Sequence, residues 1–169
     1  MHRGRRIHIG TSGWHYDHWK GSFYPADITA AGMLPYYADQ LRTVEINNSF
    51  YNLPAEKTLK AWSLTAPDGF RFAVKASRYI THMKKLKDSR QPVQTFMDRV
   101  TALGRSLGPI LFQLPPRWKC NPSRLQEFLG GLPAGHRYVF EFRDHSWFTP
   151  EEYRLLQAAG AAFCIYDLA

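Results

Sequence analysis

The feature that most constrains this chain is a regular alternation of short apolar segments with longer helical runs. Each apolar segment is bounded by Gly, Pro, Asn or Asp, a pattern typical of strands. Strands that alternate with helices fold through right-handed βαβ units into a parallel sheet. The six predicted strands are residues 6–10, 43–47, 71–76, 109–114, 137–142 and 161–166.

Capping residues mark the helices between these strands. Thr149 is a predicted N-cap, followed by Pro150 at the first helical position and Glu152 in the capping-box position. Gly160 ends this helix. Other prolines open three further helices, which begin near residues 54, 92 and 122, and another helix covers residues 33–41.

The side chains that alternate between the two faces of each strand favour a barrel over an open sheet. The central strands of an open doubly wound sheet meet helices on both faces and are apolar throughout. Here one face is apolar, whereas the other becomes polar toward the C-terminal end of each strand, as expected where a barrel interior opens into a site. The strands recur about every 31 residues, so eight units would need roughly 250. We therefore predict an α/β fold, a TIM-barrel-like parallel barrel with about six βα units.

The predicted interior face carries the candidates for catalysis. Glu45 and Glu141 come from the second and fifth strands, and such paired carboxylates serve as general acid and base when their environments separate their pKa values. The alternative is structural, with Lys75 and Arg143 neutralising them. Assembling these four groups costs several kcal/mol unless they are well paired, which favours a functional role. Lys75 is the third catalytic candidate, although nearby carboxylates disfavour Schiff-base chemistry.

Residues around these groups are candidates for substrate binding. Arg143 offers a planar fork that suits a carboxylate or phosphate, with an ion pair to Glu141 or Asp144 as the alternative. Aromatic residues at the strand ends provide pocket walls with polar tips, or else pack as plugs over the barrel. The other substrate-binding candidates are Asn47, Gln113, His82 and the aromatic walls Trp14, Tyr51 and Trp147.

The histidines raise the question of a metal. His15 and His18 flank Asp17. His82 and His145 follow the third and fifth strands. No spacing among them requires a metal, and a lone loop histidine is more often a hydrogen-bonding residue. We predict no cofactor and no metal ligands; the alternative is a divalent ion shared by these histidines and the acidic residues of the barrel mouth.

The net charge of +8, from 22 Lys and Arg against 14 Asp and Glu, favours anionic partners. We expect an enzyme that binds a small polar or anionic, sugar- or phosphate-like molecule, with hydrolysis, isomerisation and lyase chemistry all open. Lys84, Lys85, Lys87 and Arg90 support an alternative, a nucleic-acid-binding protein or nuclease, but they lack interleaved aromatic residues. A non-catalytic scaffold is the third alternative.

Membrane and disulfide signals are weak. No stretch approaches the roughly 18 apolar residues of a membrane span, and the basic N-terminus has no apolar segment behind it. We therefore expect a cytoplasmic protein with no membrane partner. Cys120 and Cys164 lie far apart without CxxC spacing, so reduced thiols are expected.

Five motifs run through nearly the whole chain, at residues 9–25, 44–54, 70–82, 108–118 and 140–148. Two of them read VEINNSFYNLP and FEFRDHSWF. Together they resemble the YecE-like family, described as domain of unknown function seventy-two. The resemblance implies a TIM-barrel-like fold and no established reaction. Relatives continue with two further βα units, so it also implies one domain over residues 1–169 that lacks these units and the phosphate site that such loops often form.

Overall fold

One parallel sheet organises the chain. In this computed structural model, which describes residues 7–167, six strands pair in the order in which they occur in the sequence. That order is the order of a (β/α) barrel and differs from the reversing order of doubly wound sheets. The predicted α/β, TIM-barrel-like fold is confirmed. The strands are β1 Gly10–Ser12, β2 Thr43–Ile46, β3 Arg71–Lys75, β4 Leu107–Gln113, β5 Tyr138–Glu141 and β6 Ala162–Phe163.

Helices connect the successive strands. They are α1 Ala30–Gln40, α2 Glu56–Thr65, α3 Arg90–Val100, α4 Pro122–Gly130 and α5 Pro150–Ala158. Within residues 7–167, β1 and β6 are the two edges of the sheet, which is therefore not closed. No helix of the described part of the chain combines the length and the hydrophobicity needed to cross a membrane.

The first strand begins later than predicted. Arg6 lies outside the described residues, Ile7 and Ile9 are exposed, and β1 starts at Gly10. Gly10 pairs with Thr43, and a Cβ at this glycine would lie 2.1 Å from the Thr43 carbonyl oxygen. The close approach of β1 to β2 thus begins at a residue without a side chain. The predicted strand began too early, at residue 6, because Ile7 and Ile9 alternate with polar residues as they would in a strand.

Burial alternates with period two along the central strands, as predicted. On the face toward the helices, Phe72, Ile110 and Phe140 are completely buried. On the opposite face, Ala73 and Leu111 are only half-buried. The apolar core therefore lies between the sheet and the helices, and the other face is left for polar groups.

Tyr37 ties α1 to the first two strands. Its side chain is completely buried. Its hydroxyl accepts from the Thr11 backbone N–H at 2.9 Å and donates to the Thr43 carbonyl at 2.9 Å. The hydroxyl therefore satisfies one polar group on each of two adjacent strands, at the point where pairing begins.

We expect Tyr37→Phe to destabilise the fold by about 1–3 kcal/mol, because it leaves a partly buried donor on Thr11 and a partly buried acceptor on Thr43 without this partner. Urea unfolding followed by circular dichroism measures this change. Tyr36→Phe is the matched control, since it removes the same hydroxyl from the next, half-buried residue of α1. Equal stability of the two variants would contradict the role assigned to Tyr37.

The predicted N-terminus of the last helix is confirmed. Thr149 caps α5, with its hydroxyl accepting from the Glu151 backbone N–H at 3.3 Å. The buried Glu152 carboxylate accepts from the Thr149 hydroxyl and from the Cys120 thiol. Burial alone would raise the pKa of Glu152, but hydrogen bonds from Cys120, Thr149 and its own backbone lower it. Through the Cys120 thiol, Glu152 therefore also joins the loop after β4 to α5.

Glu152→Gln is expected to reduce the loss of stability in acid. The pKa of Glu152 is lower in the folded than in the unfolded protein, so its contribution is present above the unfolded pKa and is lost as the pH falls through the folded pKa. Free energies of unfolding at about pH 7 and about pH 3 should differ less in the variant than in the wild type. Glu151→Gln, at an exposed neighbour, is the control; an identical pH dependence in all three proteins would contradict this assignment.

Candidate functional site

The polar residues predicted to share one face of the sheet do so. Backbone register pairs Ser12 with Glu45 and Gln113 with Glu141. Lys75 ends β3 on the same face. Because side chains alternate along each strand, all of them lie on the interior face near the C-terminal ends of the strands. We call this end of the sheet the mouth.

Glu141, Arg143 and Gln113 form one hydrogen-bonded group at the mouth. Glu141 is 5% exposed, and its Oε1 accepts from Gln113 Nε2 at 2.9 Å and from Arg143 Nε. The Arg143 guanidinium carbon lies 4.4 Å from the centre of the Tyr166 ring. Within residues 7–167 only Nε of the guanidinium is hydrogen-bonded, so the ion pair holds Arg143 with its two terminal nitrogens available.

Glu45 lies in a separate cavity at the end of β2. The cavity has a volume of about 260 Å³, and four predicted site residues line it together, namely Trp14, Glu45, Asn47 and Tyr51. The Ser12 hydroxyl donates to Glu45 Oε1 at 2.8 Å. We call this space the β2 cavity. It contains a carboxylate, amides and aromatic rings, the groups expected of a small-molecule site.

His82, which follows β3, is influenced by three positive charges. Burial lowers the pKa of His82, and the positive charges of Arg78, Lys75 and Arg143 lower it further. Among residues 7–167, neither Lys75 nor Arg78 has a carboxylate within 4.0 Å. Neutralisation of a carboxylate by Lys75, the structural alternative for this residue, is therefore not seen among the described residues. We call Lys75, Arg78 and Arg143 the cation cluster.

A turn of π-helix places His82 among these cations. It covers Tyr79–Met83, directly after Arg78, and turns of this kind are frequent at functional sites. The His82 ring meets the Phe50 ring edge to face at 4.9 Å, and its Nδ1 lies 2.9 Å from the Thr81 hydroxyl. Sequence analysis missed Arg78, although its position directly after the third strand was a usable signal.

Trp147, predicted as an aromatic wall of the site, lies outside the β2 cavity. Its side chain is completely buried, its Nε1 donates to the Trp118 carbonyl at 2.7 Å, and its ring stacks on Phe142 at 5.2 Å. A short 3₁₀ turn over His145–Trp147 directs the ring toward the helix side of the sheet. Trp147 is therefore a core residue rather than a wall of the β2 cavity, and we leave it out of the proposed site.

The metal alternative gains no support from the side chains. Within residues 7–167, no group of three or more His, Cys, Asp or Glu is arranged to hold an ion. Asp17 instead pairs with Lys20 at 2.9 Å, and His15 lines the β2 cavity.

Sequence analysis missed three further residues on the interior face. Ser12 holds Glu45, and Tyr166 lies under Arg143. Burial raises the pKa of the Cys164 thiol, and the charges of Glu141 and Glu45 raise it further. The period-two pattern could have found Cys164 and Tyr166, which continue the inward series of β6; Ser12 was hidden by the misplaced first strand.

Comparison with known proteins places this chain in a family. Residues 8–169 match the family model described as protein of unknown function DUF72. The chain is 30% identical to the UPF0759 protein YunF of Bacillus subtilis strain 168, over 87% of this chain and 54% of that protein. It is also 30% identical to the UPF0759 protein YecE of Escherichia coli K12, over 86% and 52%. The chain thus spans about half the length of these relatives.

Solved structures agree with this assignment. A crystal structure of a DUF72 family protein from Thermotoga maritima matches with a TM-score of 0.83 and 28% identity, covering 94% of this chain and 64% of that one. A DUF72 family protein from Enterococcus faecalis V583, at 18% identity and a TM-score of 0.69, supports the fold alone; the match covers 92% of this chain and 61% of that one. The family match, the curated relatives and the shared fold together confirm the resemblance first found in the sequence motifs: this chain belongs to the YecE-like DUF72 family.

Proposed function

We propose that this protein is an enzyme that binds a small anionic molecule at the mouth of the sheet. The observation that carries this proposal is a group of cations around one turn: Lys75 Nζ lies 4.9 Å from the Phe50 ring centre and the Arg78 guanidinium carbon 5.9 Å from the Tyr51 ring centre. Together with Arg143, their charges lower the pKa of His82. Like charges held close together repel one another, and a bound anion relieves that repulsion. Two of the three, Lys75 and Arg78, have no carboxylate within 4.0 Å among residues 7–167, so their charges are available to a ligand.

Arg143 supplies the directional contact in this proposal. Its terminal nitrogens suit two oxygens of a phosphate or carboxylate, and Glu141 and Gln113 hold it in place. Glu141 then acts as a positioning residue. Glu45, with Ser12 on one oxygen, is the acid or base, and Lys75 stabilises negative charge that develops during the reaction. Proton transfer of this kind serves hydrolysis, isomerisation and lyase chemistry alike.

Burial and the positive charges of Arg78, Lys75 and Arg143 lower the pKa of His82, which favours its neutral form. We expect Arg78→Gln to raise the pKa of His82, since the substitution removes a nearby positive charge. NMR titration of the imidazole protons measures the change. The control is Arg137→Gln, which makes the same change at an exposed position just before β5, at the opposite end of the sheet. An unchanged His82 pKa in Arg78→Gln would contradict the cation cluster.

Binding of inorganic phosphate tests the proposal directly. We expect isothermal titration calorimetry to detect binding that Arg78→Gln and Lys75→Gln each weaken roughly tenfold, with Arg137→Gln unchanged. Absence of binding, or equal affinity in all variants, would refute the anion site. Salt-dependent binding of DNA or RNA that survives Arg78→Gln, but is lost when Lys84, Lys85, Lys87 and Arg90 are neutralised, would favour the nucleic-acid alternative.

A further inference from the structure

One residue in the wall of the β2 cavity carries a polar group for which the described part of the protein provides no partner. Trp14 lines the cavity, and its side chain is 3% exposed. Its indole Nε1 is buried and has no hydrogen-bond acceptor within residues 7–167. Buried donors are nearly always paired in folded proteins, and an exception calls for an explanation. A ligand oxygen in the cavity would provide one.

Other groups in the cavity can accept a hydrogen bond from a ligand. Glu45 accepts the Ser12 hydroxyl at Oε1, and within residues 7–167 no hydrogen bond reaches its other oxygen, which can take a proton donor from a ligand. The neighbouring Asn47 and Asn48 amides also line the cavity and can both donate and accept. A ligand that accepts from Trp14 and donates to Glu45 carries groups that do both, as hydroxyl groups do.

The walls favour a ring with apolar faces. Aromatic side chains line the cavity at Trp14, Tyr16, Tyr51 and Trp62. The volume of about 260 Å³ lies below the range of roughly 300–1,000 Å³ for drug-sized ligands. A single hydroxylated ring matches these features, because its C–H faces pack against aromatic rings while its hydroxyl groups reach the amides and the carboxylate.

The β2 cavity adjoins the cation cluster through two consecutive residues. Tyr51 lines the cavity, and the Arg78 guanidinium carbon lies 5.9 Å from the centre of its ring. The Phe50 ring meets the Tyr51 ring edge to face at 4.9 Å, and Lys75 Nζ lies 4.9 Å from the Phe50 ring centre. A ring bound beside Tyr51 therefore lies next to the site proposed for an anion.

We infer that the ligand is a phosphorylated monosaccharide, with its hydroxylated ring in the β2 cavity and its phosphate at the cation cluster. The assignment of the phosphate rests on the proposed function, whereas the assignment of the ring rests on Trp14, Glu45 and the aromatic walls. Trp14 is then a specificity-determining residue, because its indole N–H donates a hydrogen bond to one oxygen of the sugar.

Calorimetric titration of the full chain tests the two parts separately. The probes are inorganic phosphate, a panel of hexose and pentose phosphates, the corresponding unphosphorylated sugars and nucleoside monophosphates. We expect at least one sugar phosphate to bind about tenfold more tightly than phosphate. Trp14→Phe, which removes the N–H and keeps an aromatic ring, should abolish this advantage and leave phosphate affinity unchanged.

Two further variants complete the experiment, one as a matched control and one as a second test of the ring site. Trp19→Phe makes the same change in the same loop, at a half-buried ring outside the cavity, and should bind all probes like the wild type. Glu45→Gln removes the charge, replaces one acceptor oxygen with an NH₂ donor and preserves the shape of the side chain. It should also abolish the advantage of the sugar phosphate. It provides the test if Trp14→Phe does not fold.

The outcomes separate the two proposals. Sugar phosphates that bind no more tightly than phosphate, or an advantage that survives both Trp14→Phe and Glu45→Gln, would overturn the sugar assignment and leave the anion site standing. Tighter binding of a nucleoside monophosphate than of every sugar phosphate would also overturn it. Failure of phosphate and of all sugar phosphates to bind would refute the proposed function itself.

Discussion

The opposed orientation of successive side chains along a parallel strand is the constraint on which this structure depends. It divides the sheet into a face that packs against helices and a face that holds polar groups. Phe140 and Glu141 are adjacent in the chain, yet one is in the apolar core and the other hydrogen-bonds Gln113. A shift of one residue in register would exchange these two environments. The core and the candidate site are therefore specified by the same pattern.

The buried ion pair of Glu141 and Arg143 shows how the polar face is organised. Removing two charges from water is costly, and the attraction between them offsets that cost only with good geometry and further hydrogen bonds. Gln113 supplies such a bond, and Tyr166 packs against the guanidinium. The ion pair therefore contributes little to stability, and its main effect is to orient Arg143. The terminal nitrogens of this arginine remain available within the described part of the chain.

Sequence alone specified the features that depend on local pattern. The alternation of strands and helices, the parity of the strands and the Thr149 cap are all present in the structure. The features that it misplaced depend on backbone geometry. The first strand begins at Gly10, where the backbone closely approaches the Thr43 carbonyl. Trp147 turns into the core through one 3₁₀ turn. Neither departure from regular geometry leaves a periodic signal in hydrophobicity.

The two parts of the candidate site are joined by a turn that the core holds in place. Ser49 is almost completely buried, and its hydroxyl lies 2.8 Å from the Ile46 carbonyl oxygen and 2.6 Å from the Lys75 carbonyl oxygen. It therefore pins the turn after β2 to the end of β3. Phe50 and Tyr51 follow directly, one beneath the cation cluster and the other in the wall of the β2 cavity. Because these rings follow Ser49, the proposed anion site and the proposed ring site are held in place relative to each other before any ligand binds. This arrangement would lower the entropic cost of binding a molecule that occupies both.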